Sequence, residues 1–121
     1  MKKLLVVLSM MFLMATASLF AAPGKPKSVI HVITIMWKPG ATEAQINGAL
    51  KAAETMNYPG LKNVWTRAIK MQLPEGYKNI IVMEFESEAA LKSYADSPAQ
   101  KKFYEAYMSV RGESSTHDIT N

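Results

Sequence analysis

Between Ser28 and Trp37 the chain reads SVIHVITIMW. β-Branched and aromatic residues occupy nearly every position, and a strand of that composition has to be covered on both of its faces. One face carries Val29, His31, Ile33, Ile35 and Trp37, and the other carries Ile30, Val32, Thr34 and Met36. The run NIIVMEF from Asn79 to Phe85 repeats the pattern, with Ile81, Met83 and Phe85 opposed to Ile80, Val82 and Glu84. Two such strands belong inside a sheet. A layer of helices covers one side of that sheet and leaves the other to be covered by something else.

The remaining elements follow from local signals. Lys38-Pro39-Gly40 stops the first strand, and Thr42 with Gln45 has the form of a capping box at a helix start. Ile46, Ala49, Leu50 and Ala53 lie on one stripe of that helix, which ends before Asn57-Tyr58-Pro59-Gly60. Gly48 inside it costs about 1 kcal/mol relative to Ala and leaves room for close packing. Leu61 to Met71 alternates imperfectly and is expected to be a partly exposed strand, turned by Pro74-Glu75-Gly76. Ser87 caps a short helix over 88–95, and Ser97-Pro98 starts another that ends at Gly112, with a last strand over 114–120. The order β-α-β-β-α-β folds most simply as an α+β, ferredoxin-like, four-stranded antiparallel sheet with helices on one face. A second copy of the same sheet is the economical cover for the open face, which makes a homodimer the expected partner.

The 121 residues suffice for one core and not for two. With no cysteine there is no disulfide framework, thiolate nucleophile or Cys-ligated metal. Met1 to Ala22 pairs Lys2 and Lys3 with the apolar run Leu4 to Met14 and then small residues, the form of a secretory signal peptide, with an uncleaved anchor over Leu4 to Ala22 as the rival that Ser9, Thr16 and Ser18 weaken. Ala15-Thr16-Ala17 and Leu19-Phe20-Ala21 are both candidate cleavage sites. Export, periplasmic or secreted, is the expectation, with residues 23–27 a flexible lead-in, 28–121 the folded domain and no membrane segment once the signal is removed. Without Lys2 and Lys3, twelve basic residues face ten acidic ones, a net of about +2. They are dispersed, which disfavours nucleic acid. His31 and His117 are the chain's two histidines and fall in no metal-ligating spacing, so neither a metal nor another cofactor is expected.

Five stretches, HVITIMWKPG from His31, Tyr58-Pro59-Gly60, Glu84-Phe85-Glu86-Ser87-Glu88, Tyr94-Ala95-Asp96-Ser97-Pro98-Ala99-Gln100 and His117-Asp118-Ile119, occur in an order that resembles the stress-responsive A/B barrel domain family. The resemblance covers about residues 28 to 120. It implies a dimeric α/β barrel of two ferredoxin-like protomers with facing sheets. A plant polyketide cyclase of the family closes its substrate in a pocket between sheet and helices, using a Tyr and a His. Small monooxygenases acting on quinol-like substrates share the barrel. Tyr94 matches the Tyr, but Gln100 stands where the His would be, and glutamine takes no proton at neutral pH.

His31 matches a first-strand His of the family, and the final strand is its expected neighbour, which makes Asp118 a candidate to orient it. His31, Tyr94 and Asp118 are therefore the catalytic candidates, and the competing and favoured reading of His31 is structural, a buried histidine satisfied by a carboxylate or carbonyl that holds two strands together. The ligand pocket implied by the resemblance comprises His31, Ile33, Ile35, Ile81, Tyr94, Gln100 and Phe103. The dimer face is expected to comprise Ile30, Val32, Thr34, Met36, Ile80, Val82 and Glu84. The leading expectation is an exported homodimer that binds a small, largely apolar or aromatic ligand. A cofactor-free enzyme and a purely structural or partner-binding dimer are the alternatives.

Overall fold

β1 (Val29–Trp37) lies inside a four-stranded antiparallel sheet, hydrogen-bonded to β3 (Asn79–Phe85) on one side and to β4 (Arg111–Thr120) on the other. β2 (Leu61–Trp65) pairs with the far side of β3, so the order is β2-β3-β1-β4. The computed structural model describes residues 27–68 and 70–120. The signal-peptide reading of 1–22 and the lead-in up to residue 26 lie outside the described residues.

Three helices cover one face. In α1 (Glu43–Glu54) the Gln45 N–H donates to Thr42 Oγ1 at 3.2 Å and the Thr42 N–H donates to Gln45 Oε1 at 3.0 Å, completing the capping box. α2 (Glu88–Tyr94) is capped by Ser87, and α3 (Pro98–Tyr107) by Ser97, with Pro98 at a position where its missing N–H costs nothing. One apolar cluster fills the space between sheet and helices: Ile33, Ile35, Ile81, Met83 and Phe85 from the strands, Ala49, Ala53, Tyr94, Phe103 and Tyr107 from the helices. The parity expected for β1 is the one seen, since Val29, Ile33 and Ile35 are buried and Ile30, Val32, Thr34 and Met36 are half-buried on the opposite side.

Three local expectations are corrected. The second strand ends at Trp65 rather than Met71: its ladder with β3 stops at the Trp65–Val82 pair, and the chain leaves the sheet edge there while β3 runs on to Asn79. Gly112 does not stop α3. The helix closes at Tyr107, and Gly112 lies within β4, where an added Cβ would come within 2.6 Å of the Met36 carbonyl oxygen. Gly48 packs against nothing, since an added Cβ would meet no atom within 4 Å.

Candidate functional site

The β1–β4 register sets His31 directly opposite Asp118, and on the helix-facing side His31 Nδ1 lies 2.5 Å from Asp118 Oδ1. The His31 side chain is 17% exposed and Asp118 is 51% exposed, so the pair lies at the wet margin of the core. With Nδ1 committed to the carboxylate, Nε2 is the ring nitrogen that can meet a ligand. Beneath it, His31 packs edge-on against Phe85, with ring centroids 6.4 Å apart.

Tyr94 touches the other part of Phe85, with centroids 5.1 Å apart, and the edge of Tyr58 at 5.6 Å. Tyr94 and His31 thus meet through Phe85 rather than directly. The Tyr94 hydroxyl is buried with no hydrogen-bond partner among the described residues. Burial first, and the neighbouring Tyr104 phenol second, push its pKa well above the usual phenol range. A phenol so held stays protonated at every physiological pH, which suits a hydrogen-bond donor and not a base. Tyr58 Oη and Ser93 Oγ are hydrogen-bonded beside it.

Gln100 has a different employment. Its Oε1 accepts the Asp96 N–H at 2.7 Å and its Nε2 donates to the Tyr104 hydroxyl at 3.3 Å. Asp96 joins α2 to α3 with φ +62°, a left-handed conformation that an Asp tolerates better than most residues. The Gln100 amide therefore fastens the turn at Asp96. Ile33, Ile35, Ile81 and Phe103, expected around a ligand, lie in the packed core cluster. Among the described residues, clefts of 380, 390, 460 and 610 Å³ lie elsewhere, and neither His31 nor Tyr94 lines these. Phe103 borders the 380 Å³ cleft between α1 and α3.

The sequence pattern of the stress responsive A/B barrel domain (Dabb) matches residues 29–121. The chain belongs to this family. No curated protein matches it. Among solved structures, it is similar to a dimeric ferredoxin-like protein of unknown function from Thermobifida fusca, at 16% identity, 84% of this chain and 97% of that one, TM-score 0.68. It is similar to a hydroxynitrile lyase from Passiflora edulis at 15% identity, over 79% and 94% of the two chains, with a TM-score of 0.69. A Dabb family protein with a ferredoxin-like fold from Mesorhizobium loti matches at 18% identity, over 77% and 95%, with a TM-score of 0.62. Similarity at this level establishes the ferredoxin-like fold.

The face of the A/B barrel domain sheet away from the helices is the second feature of interest. Ile30, Val32, Met36, Ile80 and Val82 are half-buried on it, Trp65 is 45% exposed and Ile119 is 57% exposed. Glu84 is held there by Asn63, whose Nδ2 donates to Glu84 Oε1 at 2.8 Å. His117 shares this face, one residue from Asp118 and on the opposite side of β4, with its Nε2 3.2 Å from Ser115 Oγ. Asn63 escaped the sequence reading, and so did the places of Tyr58 and Phe85 beside Tyr94 and His31. The register of β2 on β3 would have found Asn63, since it faces Glu84 across the ladder, but that register includes a bulge after Leu61. Among the described residues no cluster of three metal-ligating side chains is present, and no helix is long and apolar enough to cross a membrane.

Proposed function

We propose that this A/B barrel domain is exported through the Met1–Ala22 signal sequence, works as a homodimer joined through its open sheet face, and binds a small, largely apolar ligand with one polar group. The observation that carries the ligand reading is the His31–Asp118 contact at 2.5 Å. A half-buried imidazole, fixed in orientation by a carboxylate and backed by the Phe85 ring, is built to receive one hydrogen bond or proton beside apolar surface. Coverage of Ile30, Val32, Met36, Ile80 and Val82 by a second copy follows from their number on one uncovered face, and the structural relative from Thermobifida fusca is described as dimeric.

A second reading, proton-transfer catalysis without a cofactor, is favoured by the same contact, because a carboxylate on Nδ1 selects the tautomer whose Nε2 accepts a proton. The fold hosts an enzyme in the Passiflora edulis hydroxynitrile lyase. Gln100 supplies no base to assist, so His31 would act alone with the protonated Tyr94 hydroxyl shielded in the core.

Native mass spectrometry of the protein isolated from its own cell envelope tests the first reading. The expected result is twice the mass of a chain shortened by about 22 residues, with a retained small molecule that His31→Ala releases without splitting the dimer. A monomer, a full-length chain, or a dimer that retains nothing would overturn the corresponding part.

A further inference from the structure

The segment that leaves β2 is tied to the end of α1 by one buried hydroxyl. Thr66, the first residue past the strand, is 5% exposed, and its Oγ1 donates to Glu54 Oε1 on the last residue of α1. A hydroxyl so buried needs a partner of this kind. On α1, Asn47, Leu50, Lys51 and Glu54 fall at the i, i+3, i+4 and i+7 positions of one stripe. With Thr66 and Arg67 they line a 460 Å³ cleft, in which Leu50 is the one apolar residue among those described. Neither member of the His31–Asp118 pair lines it.

The charges of this cleft are not used up inside the chain. Lys51 and Glu54 stand at a helical spacing where an ammonium and a carboxylate ordinarily pair. They do not pair here, since the one ion pair among the described residues is His31–Asp118. Thr66 takes Glu54 Oε1 instead, and Oε2 keeps its capacity to accept a hydrogen bond. Lys51 and Arg67, both exposed, are left without a carboxylate among the described residues. The negative end of the α1 dipole favours Lys51 by at most about 1 kcal/mol at an exposed site and gives its ammonium no hydrogen-bond partner. Arg67 also borders the 390 Å³ cleft on the open face, so it stands at the sheet edge between the two clefts.

We infer that this cleft binds a small hydroxycarboxylic acid: Lys51 and Arg67 take its carboxylate, and Glu54 accepts the hydrogen of its hydroxyl. Two cations against one carboxylate leave a net charge of about +1, which a monoanion cancels. The guanidinium of Arg67 presents paired N–H donors in the geometry a carboxylate accepts, and the Lys51 ammonium adds a point charge. A ligand with a carboxylate alone would set that anion against Glu54. A donor beside the carboxylate turns the repulsion into a hydrogen bond. A hydroxyl supplies that donor without altering the charge balance, whereas an ammonium in its place makes the ligand neutral overall and forfeits the match. Leu50 alone offers too little apolar surface for the kind of ligand proposed at His31, so the two sites differ in class. The inference rests on neither the His31 reading nor the dimer.

Titration of the isotope-labelled protein with L-lactate, followed by NMR at the Leu50 and Thr66 amides, tests the site against propionate, L-alanine and sodium chloride. The three acids share a carbon skeleton and differ in carrying a hydroxyl, a hydrogen or an ammonium beside the carboxylate. Lactate is expected to saturate both amide shifts with a Kd on the order of 1 mM. Propionate is expected to bind about fivefold more weakly, for want of one hydrogen bond, and alanine also more weakly than lactate. Lys51→Ala and Arg67→Ala are each expected to raise the lactate Kd about tenfold, with the rest of the amide spectrum unchanged because both side chains are exposed. Glu54→Gln keeps an oxygen for Thr66 and turns the other atom into a donor, so it is expected to bring lactate down to the level of propionate. Shifts of the same size with sodium chloride, or no saturable shift at Leu50 and Thr66, overturn the site. Propionate or alanine binding as tightly as lactate overturns the pairing of hydroxyl with Glu54, and with it the ligand class.

Discussion

His31 and Asp118 come together from positions 87 residues apart in the chain because antiparallel pairing of β1 with β4 makes them direct cross-strand neighbours, Nδ1 to Oδ1 2.5 Å. Of the three candidate groups, they are the two that the fold joins. Tyr94, the third, stands behind Phe85.

Asp118→Asn separates orientation of the imidazole from stability. Asp118 is largely exposed, and solvent-exposed ion pairs contribute between zero and about 1 kcal/mol, so chemical unfolding is expected to change by less than that. Retention of the small molecule in native mass spectra is expected to fall about tenfold, because the amide holds Nδ1–H more weakly than a carboxylate does. Unchanged retention would remove Asp118 from the site.

Tyr94→Phe reports on the buried phenol. Burial raises the folded-state pKa of Tyr94 above its ordinary value of about 10, so the neutral phenol contributes stability that is fully present below pH ~10 and is lost as pH climbs toward the folded value. Removing a buried hydroxyl that has no partner is expected to leave stability at pH 7 unchanged or about 1 kcal/mol higher, and to reduce the loss above pH ~10. Tyr107, whose pKa is raised first of all by burial, keeps part of that alkaline slope. Thermal melts of both proteins from pH 7 to 11 measure it; a clear loss at pH 7 would mean that the Tyr94 hydroxyl has a partner.

Gly60, in a turn, and Gly48, inside a helix, should respond in opposite directions. Gly60 has φ +90°, its carbonyl accepts the Glu86 N–H at 2.8 Å, and an added Cβ would stand 2.7 Å from the Ala90 Cβ. Gly60→Ala is expected to cost at least about 2 kcal/mol, through backbone strain and displacement of α2. Gly48→Ala meets open space in the middle of α1 and is expected to gain about 0.5–1 kcal/mol. Denaturant midpoints decide both, and similar effects at the two sites would refute the distinction.

Much of the fold is legible in the residues themselves. The double apolar parity of β1 and β3, the Thr42–Gln45 box, the Ser87 and Ser97 caps and Pro98 each act within a few residues, and each appears where the local chemistry puts it. The end of β2 and the start of β4 were not legible, because a strand's length depends on what its neighbour offers to pair with, and that neighbour lies far along the chain. The same reason hid Asn63 and the contacts of Phe85 with His31 and Tyr94.

The sequence by itself determined that the sheet has a helix-covered face and a second apolar face, because side-chain parity along an extended strand is fixed by the backbone. Only the tertiary structure decided what the chemical residues do. Register gave His31 its carboxylate and Tyr94 none, and the left-handed turn at Asp96 claimed the Gln100 amide. A hydrogen bond needs its partner within about 3 Å, and that proximity is a property of the folded chain.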